Sequence, residues 1–407
     1  MGRDCGNARQ SVAAGAVKID PHYWLDRPGI TRLLEALDAK TGGARFVGGA
    51  VRDALLGITP DDLDLATPFA PDEVVRRLEA AGIKAVPTGI AHGTVTAITS
   101  GTVVEVTTLR CDVTTDGRRA TVAFTDDWAA DAARRDFTIN ALYADPMTGE
   151  IVDPVGGEAD ILARRVRFIG DPLQRIAEDH LRILRFFRFH ARFGVGDPDA
   201  AALNACAARA NDLMALSRER IADELLKLLA LPDPSPTLRL MTERSILAPI
   251  LPELVASPAA SVAALAEAER AAAISPNALR RLAAILPRDA AVAAKAAARF
   301  KLSKKARQRL ADAAEPELHA DPRSLAYRHG SEAALDRLLL AGRPRDAASI
   351  AGWPIPRLPL TGGDLIARGV VQGPEVARLL REVERKWVAA GFPDGDPFNR
   401  IINDTLA

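Results

Sequence analysis

The sequence predicts an α/β domain with a mixed sheet near the N-terminus, followed by an all-α remainder. Three observations predict it. Between Arg45 and Leu109 short β-rich runs alternate with helical stretches and glycine turns. From Ile161 onward the apolar spacing is helical almost throughout. Alanine and leucine abound while aromatic residues make up only 5% of the chain, a composition that favours helix over sheet for most of the length. At 407 residues the chain is too long for one core and should divide into several domains.

Residues 1–20 have no clear periodicity and read as a loose lead-in. Leu25, Ile30, Leu33, Leu34 and Leu37 recur at helical spacing, predicting a helix over Trp24 to Lys40 that Thr41-Gly42-Gly43 closes. A short strand at Phe46–Val47 then enters the Gly48-Gly49 turn. Pro71 to Ala81 reads as a helix with proline in its first turn and Gly82 beyond its end. Ala85–Val86, GTVTAIT (93–99) and TVVEVTTL (102–109) read as strands, the last alternating cleanly. Residues 110–130 are polar, a candidate mobile loop or a hairpin around Asp116-Gly117. The α/β domain is expected to span 21–154. Helical segments follow over 155–232, 233–330 and 331–407, bounded by Pro/Gly clusters at 232–236, 316–322 and 343–359. The alanine-rich stretch 257–298 keeps helical Leu/Ile spacing and predicts small, closely packed helices.

The bulk numbers exclude several classes of function. Basic and acidic residues balance at 53 each, so an anionic partner must be met by local clusters of charge. The three cysteines are scattered without metal-ligand spacing, which fits a reducing cytoplasm and argues against zinc. No run approaches the roughly eighteen apolar residues a bilayer-spanning helix needs. Arg3, Asp4 and Arg9 stand where a signal core would lie. The expectation is a cytoplasmic protein with no membrane role and no evident protein partner.

The stretch RFVGGAVRDALLGITPDDLDLAT (45–67) concentrates the chemistry. A strand entering a glycine turn and a helix start offers backbone N–H groups and a positive dipole end to a phosphate. Asp62 and Asp64 lie two apart in an apolar frame, so on a strand both carboxylates leave one face. Two such carboxylates repel each other, and a hard divalent cation completed by water and phosphate oxygens relieves the repulsion. A glycine turn is usually only a turn, and a DxD usually a solvated or capping pair; their combination around Arg52 is the more specific signal.

GGxVRD with DxD ten residues after its arginine resembles the tRNA nucleotidyltransferase and bacterial poly(A) polymerase family. The resemblance runs in motif order from about Phe46 to Leu229 and more thinly to Phe392. It implies a polymerase-beta-like nucleotidyltransferase head (21–154), a helical neck (155–232), a body (233–330) and a tRNA-binding tail (331–407). It further implies template-independent addition of CCA to the tRNA 3′ end from CTP and ATP, with Mg²⁺ held by Asp62 and Asp64. The neighbouring alternatives are a poly(A) polymerase of the same family, whose arginine-rich GRRF-type signature is not found, and an RNA-binding descendant without catalysis.

Other segments fit this frame. Glu105 alternates with Val104 and Val106; alone it reads as a solvent-facing residue, but a third carboxylate near the aspartates could hold metal or accept a proton. The family places a carboxylate in a segment like EVTTLR. His92 in AHGTV reads as a loop-shaping residue. DAARRDFTINALY (131–143) contains the family's RRDFTINAL motif without departure. Its Arg134–Arg135 pair could grip phosphate. Asp136 and Asn140, four apart on an expected helical face, could hold ribose hydroxyls or the arginines themselves. With Gly48, Gly49 and Arg52 these are the expected nucleotide contacts of the head.

Between Arg164 and Arg192 lie eight arginines against three acids, which implies an anionic partner. Asp179, Arg182, Arg185 and Arg188 recur every three residues, predicting a slanting ridge on one helix otherwise surrounded by Leu, Ile and Phe. The EDxxR string, Glu178-Asp179 and Arg182, resembles the family's base-reading segment. A carboxylate only accepts and a guanidinium only donates, so Asp179 can accept from an exocyclic amine while Arg182 donates to the adjacent ring nitrogen. Cytosine and adenine match. Uracil and guanine mismatch at both contacts, each leaving a buried polar group unsatisfied at about 1–3 kcal/mol. Arg185 and Arg188 would extend the ridge toward the triphosphate. Ser217 is expected to cap an amphipathic helix over 216–229, and RFKLSKKARQR (299–309), with six basic residues and no acid, is a candidate phosphate track.

Overall fold

The computed structural model describes residues 18–60, 62–115, 120–315 and 321–407; residues 1–17 of the lead-in and the tip at Asp116-Gly117 lie outside them. The chain falls into two compact units, Met1–Leu213 and Met214–Ala407.

The first unit opens with α1 (His22–Leu25) and α2 (Ile30–Ala36). The single helix expected over 24–40 is interrupted because Gly29 takes a left-handed conformation at φ 80° and Asp38 another at φ 49°. Its apolar face is nonetheless buried as the spacing requires, with Leu33 and Leu37 fully covered. Trp24 stacks on Phe46 at 4.4 Å and donates from Nε1 to the Pro146 carbonyl, 3.1 Å, fixing the helical lead against the sheet.

The sheet then follows: β1 (Arg45–Val47), α3 (Gly49–Leu55), β2 (Leu63–Thr67), α4 (Pro71–Ala80), β3 (Lys84–Gly89), β4 (Thr94–Thr99) and β5 (Thr102–Thr108). Of the loop and the hairpin offered for residues 110–130, the strands form a separate hairpin, β6 (Arg110–Thr115) with β7 (Ala120–Phe124); α5 (Trp128–Ala133), β8 (Tyr143–Ala144) and β9 (Ile151–Val152) follow. The seven strands run in the order β3-β4-β5-β2-β1-β8-β9. Among the described residues only β2 and β5 pair in parallel, so the sheet is mixed, as expected. Leu63, Leu65, Val104 and Val106 are buried on one face, leaving the intervening positions of β2 and β5 for the other.

Helices α6 (Gly157–Leu162), α7 (Pro172–Glu178), α8 (Arg182–Phe193) and α9 (Ala200–Ala208) close the first unit. Asp171 caps α7 by accepting from Gln174 N–H at 2.8 Å, with Pro172 at the first helical position. Phe137, Phe168, Phe186 and Phe189 form a ring cluster with centroid separations of 4.8–6.3 Å, packing α8 against the end of the head.

The second unit is entirely helical among its described residues: α10 (Arg218–Leu229), α11 (Ser235–Glu243), α12 (Pro258–Ala271), α13 (Ala278–Ile285), α14 (Ala290–Arg299), α15 (Lys304–Ala314), α16 (Pro322–His329), α17 (Ser331–Leu340), α18 (Pro344–Ile350), α19 (Gly362–Ala367), α20 (Pro374–Ala389) and α21 (Gly395–Leu406). Ser217 caps α10 by accepting from Arg220 N–H, as expected. Buried alanines at 266, 268, 283, 293, 296 and 297 allow the close helix approach that the alanine-rich stretch implied. An ion network unforeseen from sequence lies inside: Glu269 takes Arg280 at 2.8 Å and Arg281 at 2.9 Å, while Asp336 takes Arg280 at 2.8 Å and Arg309 at 2.6 Å. Arg281 also donates to the carbonyls of Leu229 and Pro232, 2.9 and 3.0 Å, answering acceptors that the end of α10 leaves without helical partners.

Candidate active site

Gly48 adopts φ 65°, ψ −119°, a conformation that side-chain-bearing residues avoid. Its N–H is spent on Leu142 O at 3.1 Å, so it contributes the turn itself. A Cβ at Gly48 would lie 3.6 Å from Arg135 Nη1, and one at Gly49 would lie 3.6 Å from Arg52 Nη2. Arginines therefore overlook a turn bare of side chains.

Asp62 is exposed immediately before β2, and Asp64 is half-buried within it. The parallel register sets Asp64 directly beside Glu105 of β5, and Glu105 beside Thr96 of β4. Because Leu63, Leu65, Val104 and Val106 face the core, both carboxylates stand on the opposite face. The Asp64 carboxyl is pushed up to about 6, by burial first and then by the charges of Glu105 and Asp62, against an opposing pull from Arg135. Anionic oxygens crowded without enough counter-charge are the donor set a hard divalent cation fits. Among the described residues no three ligating side chains converge to enclose a metal by themselves, so further donors would be water or phosphate oxygens.

The RRD segment is arranged differently from the sequence expectation. Arg134 and Arg135 both bind Asp131, at 2.6 and 2.9 Å, and Tyr143 donates to the same carboxylate at 2.6 Å. Asp131 is 1% exposed; burial raises its pKa, but Arg135 and Arg134 outweigh it and hold the carboxyl below its ordinary range. Asp136 and Asn140 do not share a helical face: Phe137 is extended and Asn140 ends a single 3₁₀ turn. They engage arginines. Asn140 Nδ2 donates to Asp136 at 3.2 Å, Arg185 binds Asp136 at 2.6 Å, and Arg52 donates to Asn140 Oδ1 at 2.5 Å. Arg52 is 6% exposed, paired with Asp53 at 2.7 Å and stacked over Phe193 at 4.1 Å. Arg52, expected among the nucleotide contacts, is thus buried and bonded to Asp53 and Asn140, with its Nη2 near Gly49, while Arg135 lies beside Gly48.

The segment expected to read the base departs from one continuous helix. Asp179 lies at φ −150°, ψ 106°, between α7 and α8, so the ridge from 179 to 188 is broken at its first member. Its carboxylate accepts from Leu181 N–H at 3.1 Å and its carbonyl from Arg182 N–H at 3.0 Å, the local bonding by which aspartate competes with helix. Arg182 pairs with Glu178 at 2.6 Å and donates to the carbonyls of Arg175 and Arg134, 3.0 and 3.3 Å. Arg188 lies over the Phe189 ring at 4.4 Å. Asp53, Asp131 and Glu178 were not among the expected site residues. Asp131 lies three and four residues before the arginine pair, and Glu178 four before Arg182, the helical ion-pair spacing that could have marked both.

His92 is an exposed loop residue whose carbonyl accepts from Arg110 at 2.6 Å, in keeping with a loop-shaping role. In the second unit the 299–309 track is largely spent on protein carboxylates: Arg299 pairs with Glu253, Lys301 with Glu219 and Arg309 with Asp336.

A family described as "Poly A polymerase head domain" matches residues 44–167, and one described as "Probable RNA and SrmB- binding site of polymerase A" matches 197–257. The chain is 33% identical over 383 residues to the mitochondrial CCA tRNA nucleotidyltransferase 1 of Mus musculus, covering 89% of this chain and 87% of that protein. It is 40% identical over 208 residues to the CCA-adding enzyme of Geobacillus thermodenitrificans, covering 50% and 49%. Among solved structures, the Bacillus stearothermophilus CCA-adding enzyme in complex with CTP superposes with a TM-score of 0.72 at 27% identity, over 93% of this chain and 98% of that one. The Thermotoga maritima CCA-adding enzyme complexed with tRNA shares the fold, with a TM-score of 0.67 at 20% identity, over 93% and 94%. With a mixed-sheet head, a helical remainder and one-third identity across nearly the whole of both chains, this protein belongs to the CCA tRNA nucleotidyltransferase family.

Proposed function

We propose that the chain completes and repairs the 3′-terminal CCA of tRNA from CTP and ATP, releasing pyrophosphate, and that the head carries the chemistry. The observation that carries this reading is the register pairing of Asp64 with Glu105 on one sheet face, beside a glycine turn overlooked by Arg135. Asp62 and Asp64 hold the divalent cation, Mg²⁺ in this reading. When bound, it lowers the pKa of the attacking 3′-hydroxyl and neutralises charge at the transferred phosphate and departing pyrophosphate. Glu105 adds a third carboxylate that can accept a proton from the hydroxyl. The turn at Gly48 and Gly49 lets the triphosphate approach the backbone, and Arg135 offers it donors.

Asp179 and Arg182 select the base, the carboxylate accepting from the exocyclic amine and the guanidinium donating to the ring nitrogen. Glu178 holds Arg182 in place through their 2.6 Å pair. In the second unit, Tyr327, Arg328, Arg381, Glu384 and Arg385 line an open cleft of about 470 Å³. Arg328 and Arg381 are exposed, and neither has an ion pair among the described residues. This cleft suits the phosphate backbone of the tRNA, which is recognised by charge and shape rather than by base sequence. In this reading the protein is cytoplasmic, supported by three scattered cysteines that fit a reducing compartment.

The test is purified protein, tRNA lacking its CCA, Mg²⁺ and each labelled nucleotide in turn. CTP and ATP should enter and extension should stop after three additions. Entry of UTP or GTP at comparable rates, or long A tails on unrelated RNA, would overturn the reading.

A further inference from the structure

A chain of side chains links the helix behind the glycine turn to the arginine-bearing helix α8, and every group in it but the last is nearly buried. Asp53, Arg52, Asn140 and Asp136 are 8%, 6%, 8% and 9% exposed. Arg52 Nε donates to Asp53 Oδ1 at 2.8 Å and Arg52 Nη1 to Asn140 Oδ1 at 2.5 Å. Asn140 Nδ2 then donates to Asp136 Oδ1 at 3.2 Å, and Arg185 Nε to Asp136 Oδ2 at 2.7 Å. A second connection runs beside it: the Phe189 ring carries Arg52 on one contact and Arg185 on another, each 5.3 Å from the ring centroid. Arg52 and Arg185 are therefore fixed relative to each other twice, through the amide and through the ring.

The middle of the chain sets a strict chemical requirement. On one side stands a guanidinium, which only donates, and on the other a carboxylate, which only accepts. The residue between them must accept from the first and donate to the second. An amide does both, with its orientation dictated by the two partners. Aspartate would keep the bond to Arg52 but set a second carboxylate against Asp136, and alanine would leave both neighbours short of a buried partner.

We infer that Asn140 is a positioning residue: by bridging Arg52 and Asp136 it holds Arg185, and with it the face of α8, in register with the Gly48-Gly49 turn where the nucleotide triphosphate enters. The inference rests on the functional reading given above and deepens it, since the substrate that senses this register is the nucleotide and not the tRNA. Asn140 itself need touch no substrate.

The test measures CTP and ATP affinity by calorimetry without tRNA, so that it does not depend on CCA addition, which wild-type protein with tRNA tests separately. Asn140→Ala should raise the dissociation constants of CTP and ATP alike, by roughly tenfold, and the steady-state KM for both by a similar factor, with KM for tRNA unchanged. Asn140→Asp, of equal volume, should do as much, and Asn140→Gln, which retains donor and acceptor, should recover part of the loss. If Asn140→Ala is too unstable to purify, Asn140→Asp and Asn140→Gln decide the matter by themselves. In an Arg185→Ala background the Asn140 substitutions should add little, because the two act in one chain. Unchanged nucleotide affinity in folded variants, Asn140→Asp matching wild type, or fully additive effects with Arg185→Ala would each overturn the inference.

Discussion

Asp64 shows how one residue's surroundings set its chemistry. Its carboxyl is raised to about 6 by burial and by Glu105 and Asp62, so in metal-free protein the folded state keeps a proton that the unfolded chain releases near the ordinary carboxylate range. Its contribution to stability is therefore fully present below that range and lost as pH rises through about 6. In EDTA, Asp64→Asn should flatten the fall in Tm over that interval, and the two pH–Tm profiles should converge in acid. Asp62→Ala should abolish nucleotide addition while tRNA affinity in a filter-binding assay stays nearly unchanged; equal loss of both would mark Asp62 as structural. Asp131 has the opposite sign: held below its ordinary range by two arginines, it stabilises the head above that range and loses the effect as pH falls through its depressed value. The arginines themselves carry the lesson at this scale. Arg134 and Arg135 meet Asp131 at local helical spacing, whereas the amide that Arg52 bonds, Asn140, lies 88 positions away.

At the scale of elements, the strands were read well because a period-2 pattern with one buried face fixes which way each side chain points. TVVEVTTL became β5 with Val104 and Val106 inside. Periodicity could not foresee that β5 would lie parallel to β2, and it is this pairing that sets Glu105 beside Asp64. The single helix expected to carry Asp179, Arg182, Arg185 and Arg188 was correct in what it buried and wrong in its continuity. Leu181, Ile183, Phe186 and Phe189 are all buried, yet Asp179 breaks the helix by bonding the backbone N–H of Leu181. At the end of α7, Glu178 pairs with Arg182 at 2.6 Å. Glu178→Gln should accordingly loosen Arg182 and raise UTP misincorporation relative to CTP by about tenfold, of the size expected when a buried charge-assisted bond is weakened. Primer-extension ratios on one tRNA would show it, and an unchanged ratio would argue that Arg182 is oriented by the carbonyls of Arg175 and Arg134 alone.

At the scale of the whole molecule, each unit has its own means of cohesion. The helical unit encloses Glu269 and Asp336 with three arginines at 1–5% side-chain exposure apart from Arg309 at 12%. Removing one member of such a buried group strands the others, so Glu269→Ala should lower unfolding stability by about 3–5 kcal/mol, measured by urea denaturation. Charge on the surface acts differently. Arg381→Glu at the open cleft should leave stability within about 0.5 kcal/mol while weakening tRNA binding and reducing its salt dependence by about one unit of slope. An unaltered salt slope would remove the cleft from the tRNA path.

The sequence by itself determined the class of fold, the strand faces, the glycine turn, the paired aspartates and the arginine cluster of residues 164–192. These rest on local rules: periodicity, glycine's access to positive φ, and the spacing of charged groups along one element. Only the tertiary structure decided that Arg185 answers Asp136, that Arg52 is buried against Asn140, and that Glu105 stands beside Asp64. Those outcomes depend on strand order and on contacts between segments far apart in sequence, where burial makes each unpaired charge costly and so forces a partner that no local pattern names.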